Sequence, residues 1–148
     1  MSIDENKTIV RRFFDELWNA KRLDRVDEFV AQDYVDGNAM PGQASGLDGA
    51  RQKWAMYFVG IPDLSATIHD LVAEADKVVV RFTAEGTHQG TLLGIPASGK
   101  HLRVSGISIY RLAAGKVVEH WEEGDRLGLL QQLGAIPIAP AAPATATP

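Results

Sequence analysis

The sequence predicts a small α+β domain in which helices precede a mainly antiparallel sheet. Apolar residues recur at three- and four-residue spacing in the part before Pro62, and at two-residue spacing after it. The first spacing is typical of amphipathic helices, and the second of strands with one buried face. Three helices ahead of a sheet with one face to bury predict that the helices pack on that face. A strongly curled sheet would then enclose a pocket.

The predicted helices rest on apolar faces and on their end signals. Ser2 and Glu5 have the spacing of a capping box ahead of the first helix, and Pro62 follows the third. An extended segment around Tyr34 and a loop containing Pro41 and Gly42 separate the second helix from the third. In chain order, the predicted helices cover about residues 9–18, 24–30 and 48–59.

Four strands are predicted after Pro62, joined into an antiparallel meander. Tight turns are expected at 74–77 and 113–116, and a Gly-rich connection joins the second strand to the third. The predicted strands cover about residues 64–74, 77–87, 102–112 and 117–123. A short helix from Leu127 to Leu133 follows the last strand.

The chain is predicted to form one domain with a C-terminal tail. A length of 148 residues with 45% hydrophobic content suits a single domain with a buried core. All the periodic segments lie in residues 1–134, whereas residues 135–148 are rich in Pro and Ala and lack periodicity. We expect this tail to be extended and mobile.

Charge and composition exclude several classes of partner. The 15 Lys and Arg and the 19 Asp and Glu give a formal charge of −4, and neither sign forms a long block. We therefore expect neither nucleic acid nor a membrane surface as a partner. The first residues lack the pattern of a signal peptide, and no stretch is apolar for long enough to span a bilayer, so a cytoplasmic protein is expected.

No metal or organic cofactor is expected from the motifs. The absence of cysteine excludes thiolate nucleophiles and Cys-based zinc sites. The sequence contains no His-x-x-x-His or His-Glu-x-x-His pairing, no phosphate-binding glycine motif and no serine-hydrolase elbow. The sequence therefore favours chemistry that needs neither a metal nor a nucleotide.

Two spaced motifs carry a family resemblance. The segment from Gly86 to Lys100 resembles the pattern GTHxGxxxGxPxxG, and the segment from Gly115 to Asp125 resembles the pattern GKIxEHWxxxD. Both patterns are typical of SnoaL-like polyketide cyclases, a branch of the NTF2-like proteins. The resemblance implies a cone of helices around a curved sheet with a buried hydrophobic cavity. Many members carry a His directly after the position of Asp36, where this chain has Gly37 followed by Asn38, and Asn38 is a candidate replacement.

Asp125 is the candidate proton carrier. It lies four residues after Trp121, and an even spacing on a strand predicts that both side chains face the cavity. Burial disfavours a charged carboxylate and brings its pKa towards the range useful for proton transfer. The resemblance implies the same role, because the polyketide cyclases use an Asp on the last strand in aldol-type ring closure. The alternative is that Asp125 only caps the helix that follows it.

His88 is the second candidate for catalysis. Even spacing places it on the same strand face as Phe82, so a neutral imidazole there could polarise a substrate carbonyl or orient Asp125. The alternative is a structural histidine that anchors the Gly-rich connection. The other histidines, His69, His101 and His120, are predicted to be structural or exposed.

A hydrophobic small molecule is the predicted partner, with a homodimer expected from the family. The candidate substrate-binding residues are Asn38, Trp54, Phe58, Phe82 and Trp121. The leading hypothesis is acid–base ring closure on a polyketide-like carbonyl substrate. Two alternatives stay open: an epoxide hydrolase or isomerase of the same fold, and a non-catalytic binder of small molecules.

Overall fold

The computed structural model describes residues 1–138 and forms four helices on a five-stranded sheet. In chain order the elements are α1 Ile3–Phe13, α2 Val26–Phe29, β1 Val30–Asp36, α3 Gly46–Gly60, β2 Ser65–Glu74, β3 Lys77–Thr87, β4 His101–Ala113, β5 Lys116–Gly124 and α4 Arg126–Gln132.

The sheet confirms the predicted meander and adds one strand to it. The strand order is β1-β5-β4-β3-β2, and all neighbours are antiparallel except β1 and β5, which run parallel. The sequence analysis missed β1 as a member of the sheet. The reason is visible in its pairing, because the register shifts between Val30 and Val35, so β1 lacks the regular alternation of a long strand.

The first helix begins at the predicted capping box and ends in a widened turn. The Ser2 hydroxyl accepts the backbone N–H of Glu5 at 3.1 Å, and the Glu5 carboxylate accepts the backbone N–H of Ser2 at 3.0 Å. After Phe13 the helix continues as a π-helical segment from Phe14 to Asn19. That segment buries Phe14 and Trp18 against the inner face of the sheet.

An aromatic cluster joins the helices to the sheet. The indole of Trp18 stacks on Phe14 with ring centroids 5.1 Å apart, and it meets Trp54 of α3 edge to face at 4.4 Å. Phe82 of β3 lies 5.4 Å from Trp18, and Tyr110 of β4 lies 5.5 Å from Phe13. Such pairs contribute attraction beyond the burial of their area. The cluster fixes how α1 and α3 lie across the sheet and forms one end of the cavity described below.

The described residues bear only in part on the expectations about a membrane span, the C-terminal tail, the domain boundary and the homodimer. Within residues 1–138, no helix has the length and hydropathy needed to cross a lipid bilayer. Of the predicted tail, residues 139–148 lie outside the described residues. The domain boundary at Gly134 and the homodimer both stay predictions, and sedimentation velocity would measure the second.

Asp125 caps the last helix. Its carboxylate accepts the backbone N–H of Gly128 at 2.9 Å, and its own backbone N–H donates to the carbonyl of Ser105 at 3.0 Å. The residue is exposed at the end of β5. The cap therefore satisfies one of the free N–H groups at the start of α4 and ties that start to β4.

We predict that Asp125→Ala lowers the free energy of unfolding by about 1 kcal/mol, because it removes this cap. Asp125→Asn should keep nearly full stability, since Asn caps helices as well as Asp does. Urea denaturation of the three proteins measures the difference. Equal losses in the Ala and Asn variants would show that the capping bond is not the cause.

Candidate active site

A cavity of about 350 Å³ lies between the helices and the inner face of the sheet. One end is aromatic and is formed by Phe13, Trp18, Trp54 and Phe82. The other end is polar and is lined by Asp36, Asn38, Lys53, His120 and Glu122. The size and the mixed lining are typical of a site for a small hydrophobic molecule with a few polar groups.

The alternation of side chains along β5 decides which residues reach this cavity. Residues paired across neighbouring strands share a face of the sheet, and Glu122 lies opposite Ser108 while His120 lies opposite Tyr110. Tyr110, His120 and Glu122 all line the cavity. Trp121, between the last two, must point to the other face.

A chain of hydrogen bonds links the inward-facing side chains of β4 and β5. The Ser108 hydroxyl lies 3.2 Å from the Glu122 carboxylate oxygen Oε1 and 3.2 Å from Nε2 of His120. On the far side of the imidazole, Nδ1 lies 3.4 Å from the Tyr34 hydroxyl and 3.9 Å from Asp36. The His120 ring stacks on Tyr110 with centroids 4.8 Å apart, so its orientation is fixed by packing as well as by hydrogen bonds.

Asp36 forms a second polar group at the same end of the cavity. Its carboxylate accepts hydrogen bonds from the Lys53 ammonium at 2.9 Å, the Gln43 amide at 3.0 Å and the Asn38 backbone N–H at 2.9 Å. Burial alone would raise the pKa of Asp36, but these hydrogen bonds and the Lys53 charge outweigh it, so the pKa lies below its ordinary value. Asp36 is therefore ionised at neutral pH.

Burial shifts the pKa values of Glu122 and His120 in opposite directions, because it disfavours the charged form of each group. Burial raises the pKa of the Glu122 carboxyl, and the Asp36 charge adds to the rise, although the Ser108 hydrogen bond and the cations Lys53 and Arg126 oppose it. Burial lowers the pKa of His120 to about 4. The site thus holds a carboxyl group that takes up a proton more readily than usual beside an imidazole that is neutral at pH 7.

Asn38 has a structural task at the edge of the cavity. Its amide donates to the carbonyl of Glu122 at 2.8 Å and accepts the backbone N–H of Glu122 at 2.7 Å. Because both ends of the amide are engaged, Asn38 positions Glu122 and has little capacity left for a substrate.

Gly37 is a glycine for reasons of space. A Cβ at this position would lie 2.6 Å from Trp121 Cδ1 and 2.8 Å from the carbonyl oxygen of His120. Any larger residue at position 37 would displace the Trp121 indole.

The predicted inward orientation of Asp125 and Trp121 is wrong. Asp125 is the exposed cap of α4 and lies outside the residues that line the cavity. Trp121 packs beside Gly37 on the outer face, with the Lys77 ammonium 5.8 Å from its ring centroid. Trp121 therefore points to the outer face, whereas Asp125 lies beyond the end of β5, where strand alternation no longer gives the direction of a side chain.

His88 takes the structural position that the sequence analysis gave as its alternative. It is fully buried just after β3, and Nδ1 accepts the backbone N–H of Ser98 at 3.2 Å and lies 2.8 Å from the Ser98 hydroxyl. The backbone of His88 also bonds to Lys100 and Gly99. His88 therefore closes the Gly-rich connection and lies outside the cavity lining.

The other predicted binding residues divide between the cavity and the core. Trp54 and Phe82 line the aromatic end of the cavity. Phe58 packs against Trp54 with ring centroids 5.6 Å apart and lies outside the lining residues. Of the histidines predicted to be structural or exposed, His69 and His101 are exposed, whereas His120 faces the cavity.

The sequence analysis missed the residues that the structure brings together at the polar end. Glu122 and His120 sit within the motif that ends at Asp125, but His120 was predicted to be structural or exposed and Glu122 was not singled out. The pairing of β4 with β5 would have indicated that Glu122 faces the interior, because it places Glu122 opposite the buried Ser108. Within residues 1–138, no group of three His, Asp or Glu side chains has the arrangement of a metal site.

Comparison with known proteins assigns the chain to a family. The model of the SnoaL-like polyketide cyclase family matches residues 8–133. A curated relative, the aklanonic acid methyl ester cyclase DauD of Streptomyces sp. (strain C5), is 29% identical over 133 aligned positions, and the match covers 85% of this chain and 80% of that protein.

Solved structures share this fold over nearly the full chain. TsrD from Streptomyces laurentii superposes with a TM-score of 0.83 at 34% identity, covering 92% of this chain and 99% of TsrD. AclR from Streptomyces galilaeus, described as a candidate hydroxylase, gives a TM-score of 0.82 at 28% identity, covering 94% and 87%. The family model spans most of the sequence, and this protein therefore belongs to the SnoaL-like polyketide cyclase family.

Proposed function

We propose that this protein closes a ring in a hydrophobic, carbonyl-bearing polyketide by acid–base chemistry, with Glu122 as the proton carrier. Membership of the cyclase family supports the reaction class. The relative DauD is a cyclase of aklanonic acid methyl ester, which makes that compound the natural first substrate to assay.

The observation that carries the proposal is a pair of carboxyl groups with opposite pKa shifts in one cavity. Asp36 is held ionised by Lys53 and Gln43, whereas burial raises the pKa of Glu122. Where two titratable groups are shifted apart in this way, the one with the raised pKa is suited to proton transfer and the other to electrostatic support. We assign these two roles to Glu122 and Asp36.

The reaction is balanced without a co-reactant. The Glu122 carboxylate removes a proton from the carbon next to a substrate carbonyl, which leaves an enolate. The enolate carbon then attacks a second carbonyl carbon of the same molecule, and the electron pair of that C=O bond moves to its oxygen. The resulting alkoxide takes the proton back from Glu122, so the product is an isomer of the substrate.

Lys53 is placed to stabilise the negative charge that develops on the substrate. Its ammonium donates to Asp36 at 2.9 Å and to the carbonyl of Asn38 at 3.3 Å, and its side chain lines the cavity. An ammonium has three donors, so one remains for a substrate oxygen. A cation held in place before the reaction is more effective than one that must reorganise, and the Asp36 carboxylate holds this one.

The aromatic end of the cavity supports a hydrophobic substrate. Rings from α1, α3 and β3 supply flat apolar walls, which favour a planar polyketide over a flexible polar metabolite.

The alternatives from the sequence would use the same cavity. Epoxide opening and isomerisation also need a proton carrier, and a binder needs only the aromatic walls. Saturable binding of aklanonic acid methyl ester and of related ketones, with no conversion in a long incubation, would favour the binder over the cyclase.

We predict that Glu122→Gln reduces single-turnover conversion roughly a hundred- to ten-thousand-fold, because the amide cannot accept the proton. Substrate affinity should change little, since the size and much of the hydrogen bonding of the side chain are retained. The matched control is Asp125→Asn, which keeps the helix cap and lies outside the cavity. Loss of activity in Asp125→Asn with full activity in Glu122→Gln would reverse the assignment.

We predict that His120 makes the protein less stable in mild acid. A histidine whose pKa falls from 6.5 to about 4 on folding contributes stability above pH 6.5, and this contribution is lost as the pH falls towards 4. His120→Gln stays neutral, so it should lose less stability than the unmodified protein between pH 7 and pH 4. Urea unfolding at a series of pH values measures the two slopes, with the exposed His69→Gln as control. Parallel slopes for the unmodified protein and His120→Gln would contradict a buried neutral imidazole.

A further inference from the structure

Ser108 lies between Glu122 and His120, the two titratable side chains of β5 that face the cavity. It is fully buried, and its hydroxyl lies 3.2 Å from both Glu122 Oε1 and His120 Nε2. Neither the motifs nor the predicted site includes it. A hydroxyl has one hydrogen to donate, so its direction depends on what the two neighbours can accept.

When Glu122 is ionised, the donor and the acceptor in each of these hydrogen bonds are determined. A carboxylate only accepts hydrogen bonds, so the Ser108 hydrogen must point to Oε1 of Glu122. Nε2 of His120 must then donate to the Ser108 oxygen, and Nδ1 is left to accept the hydrogen of the Tyr34 hydroxyl. Tyr34 holds that hydrogen firmly, because burial and the nearby Asp36 and Glu122 charges raise the pKa of its hydroxyl.

The two oxygens of Glu122 are therefore not equivalent. Oε1 is engaged by Ser108, whereas Oε2 makes no hydrogen bond to any residue in the range 1–138. Oε2 lies on the side of Gly124, 3.7 Å from where a Cβ of that residue would be, and Gly124 lines the cavity. Of the two oxygens, Oε2 is therefore the one available to a molecule in the cavity.

We propose that Ser108 is a positioning residue that holds Oε1 of Glu122 as a hydrogen-bond acceptor and reserves Oε2 for the substrate, while Nε2 of His120 donates to the Ser108 oxygen. This inference rests on the proposed function for its link to turnover. The arrangement of protons itself does not depend on any substrate.

The first test uses the unmodified protein without substrate. Nitrogen-15 NMR of labelled histidines distinguishes the two neutral imidazole forms, and His120→Gln assigns the signal. Above the pH at which the Glu122 carboxyl titrates, we expect the His120 proton on Nε2. A proton on Nδ1 would mean that His120 accepts from Ser108, and would overturn the proposal.

The second test compares Ser108→Ala with Ser65→Ala, which removes an exposed hydroxyl from β2. Ser108 favours the ionised form of Glu122, so its removal should raise the pH at which the Glu122 carboxyl carbon titrates in a carbon-13 NMR experiment. The acid limb of the single-turnover rate should move in the same direction, and the limiting rate should fall on the order of tenfold. Ser65→Ala should change neither.

These measurements separate two kinds of failure. An unchanged Glu122 titration in folded Ser108→Ala would overturn the role of Ser108. A changed titration with full activity in Glu122→Gln would leave the proton arrangement intact and remove Glu122 from the reaction, which is a failure of the proposed function alone.

Discussion

The side-chain amide of Asn38 joins the loop after β1 to the backbone of Glu122 through hydrogen bonds of 2.8 and 2.7 Å. Much of the polar end of the cavity depends on this pair. It continues the parallel pairing of β1 with β5 at the point where the strand ends, and so places Asp36 within 3.9 Å of His120. Asp36 in turn holds Lys53 of α3. A helix, a loop and two strands are thereby locked around one end of the cavity, with few polar groups left without partners.

The proposed chemistry depends on how differently the two carboxyl groups at the polar end of the cavity are surrounded by hydrogen-bond donors. Asp36 is surrounded by donors and a cation, whereas Glu122 has one hydroxyl on one oxygen and the cavity on the other. Desolvation acts on both carboxyl groups, but only Asp36 receives enough compensation to lower its pKa. The neutral imidazole of His120 separates them and adds no charge of its own. One carboxyl group therefore serves as fixed charge and the other as a proton carrier.

The sequence predicted the fold well because its signals are local. The capping box at Ser2 and the period-two segments after Pro62 appear in the structure nearly as predicted. The site was predicted less well because the face of a strand that meets the cavity is a tertiary property. Even spacing along a strand could not say which of its two faces is inward, and an error of one residue exchanges every side chain. The pairing of β5 with β1 could not be predicted from local patterns either, because β1 lacks a regular alternation of buried and exposed residues.

Exchange of substrate hydrogen with solvent tests the central claim most directly, because it isolates the proton-transfer step from ring closure. A flat aromatic ketone that lacks a second carbonyl can lose its α-proton but cannot cyclise. In deuterated buffer, the protein should catalyse incorporation of deuterium at that carbon, measured by mass spectrometry, and Glu122→Gln should reduce incorporation to the buffer rate. Incorporation by Glu122→Gln at the rate of the unmodified protein would contradict the assignment of Glu122 as the proton carrier.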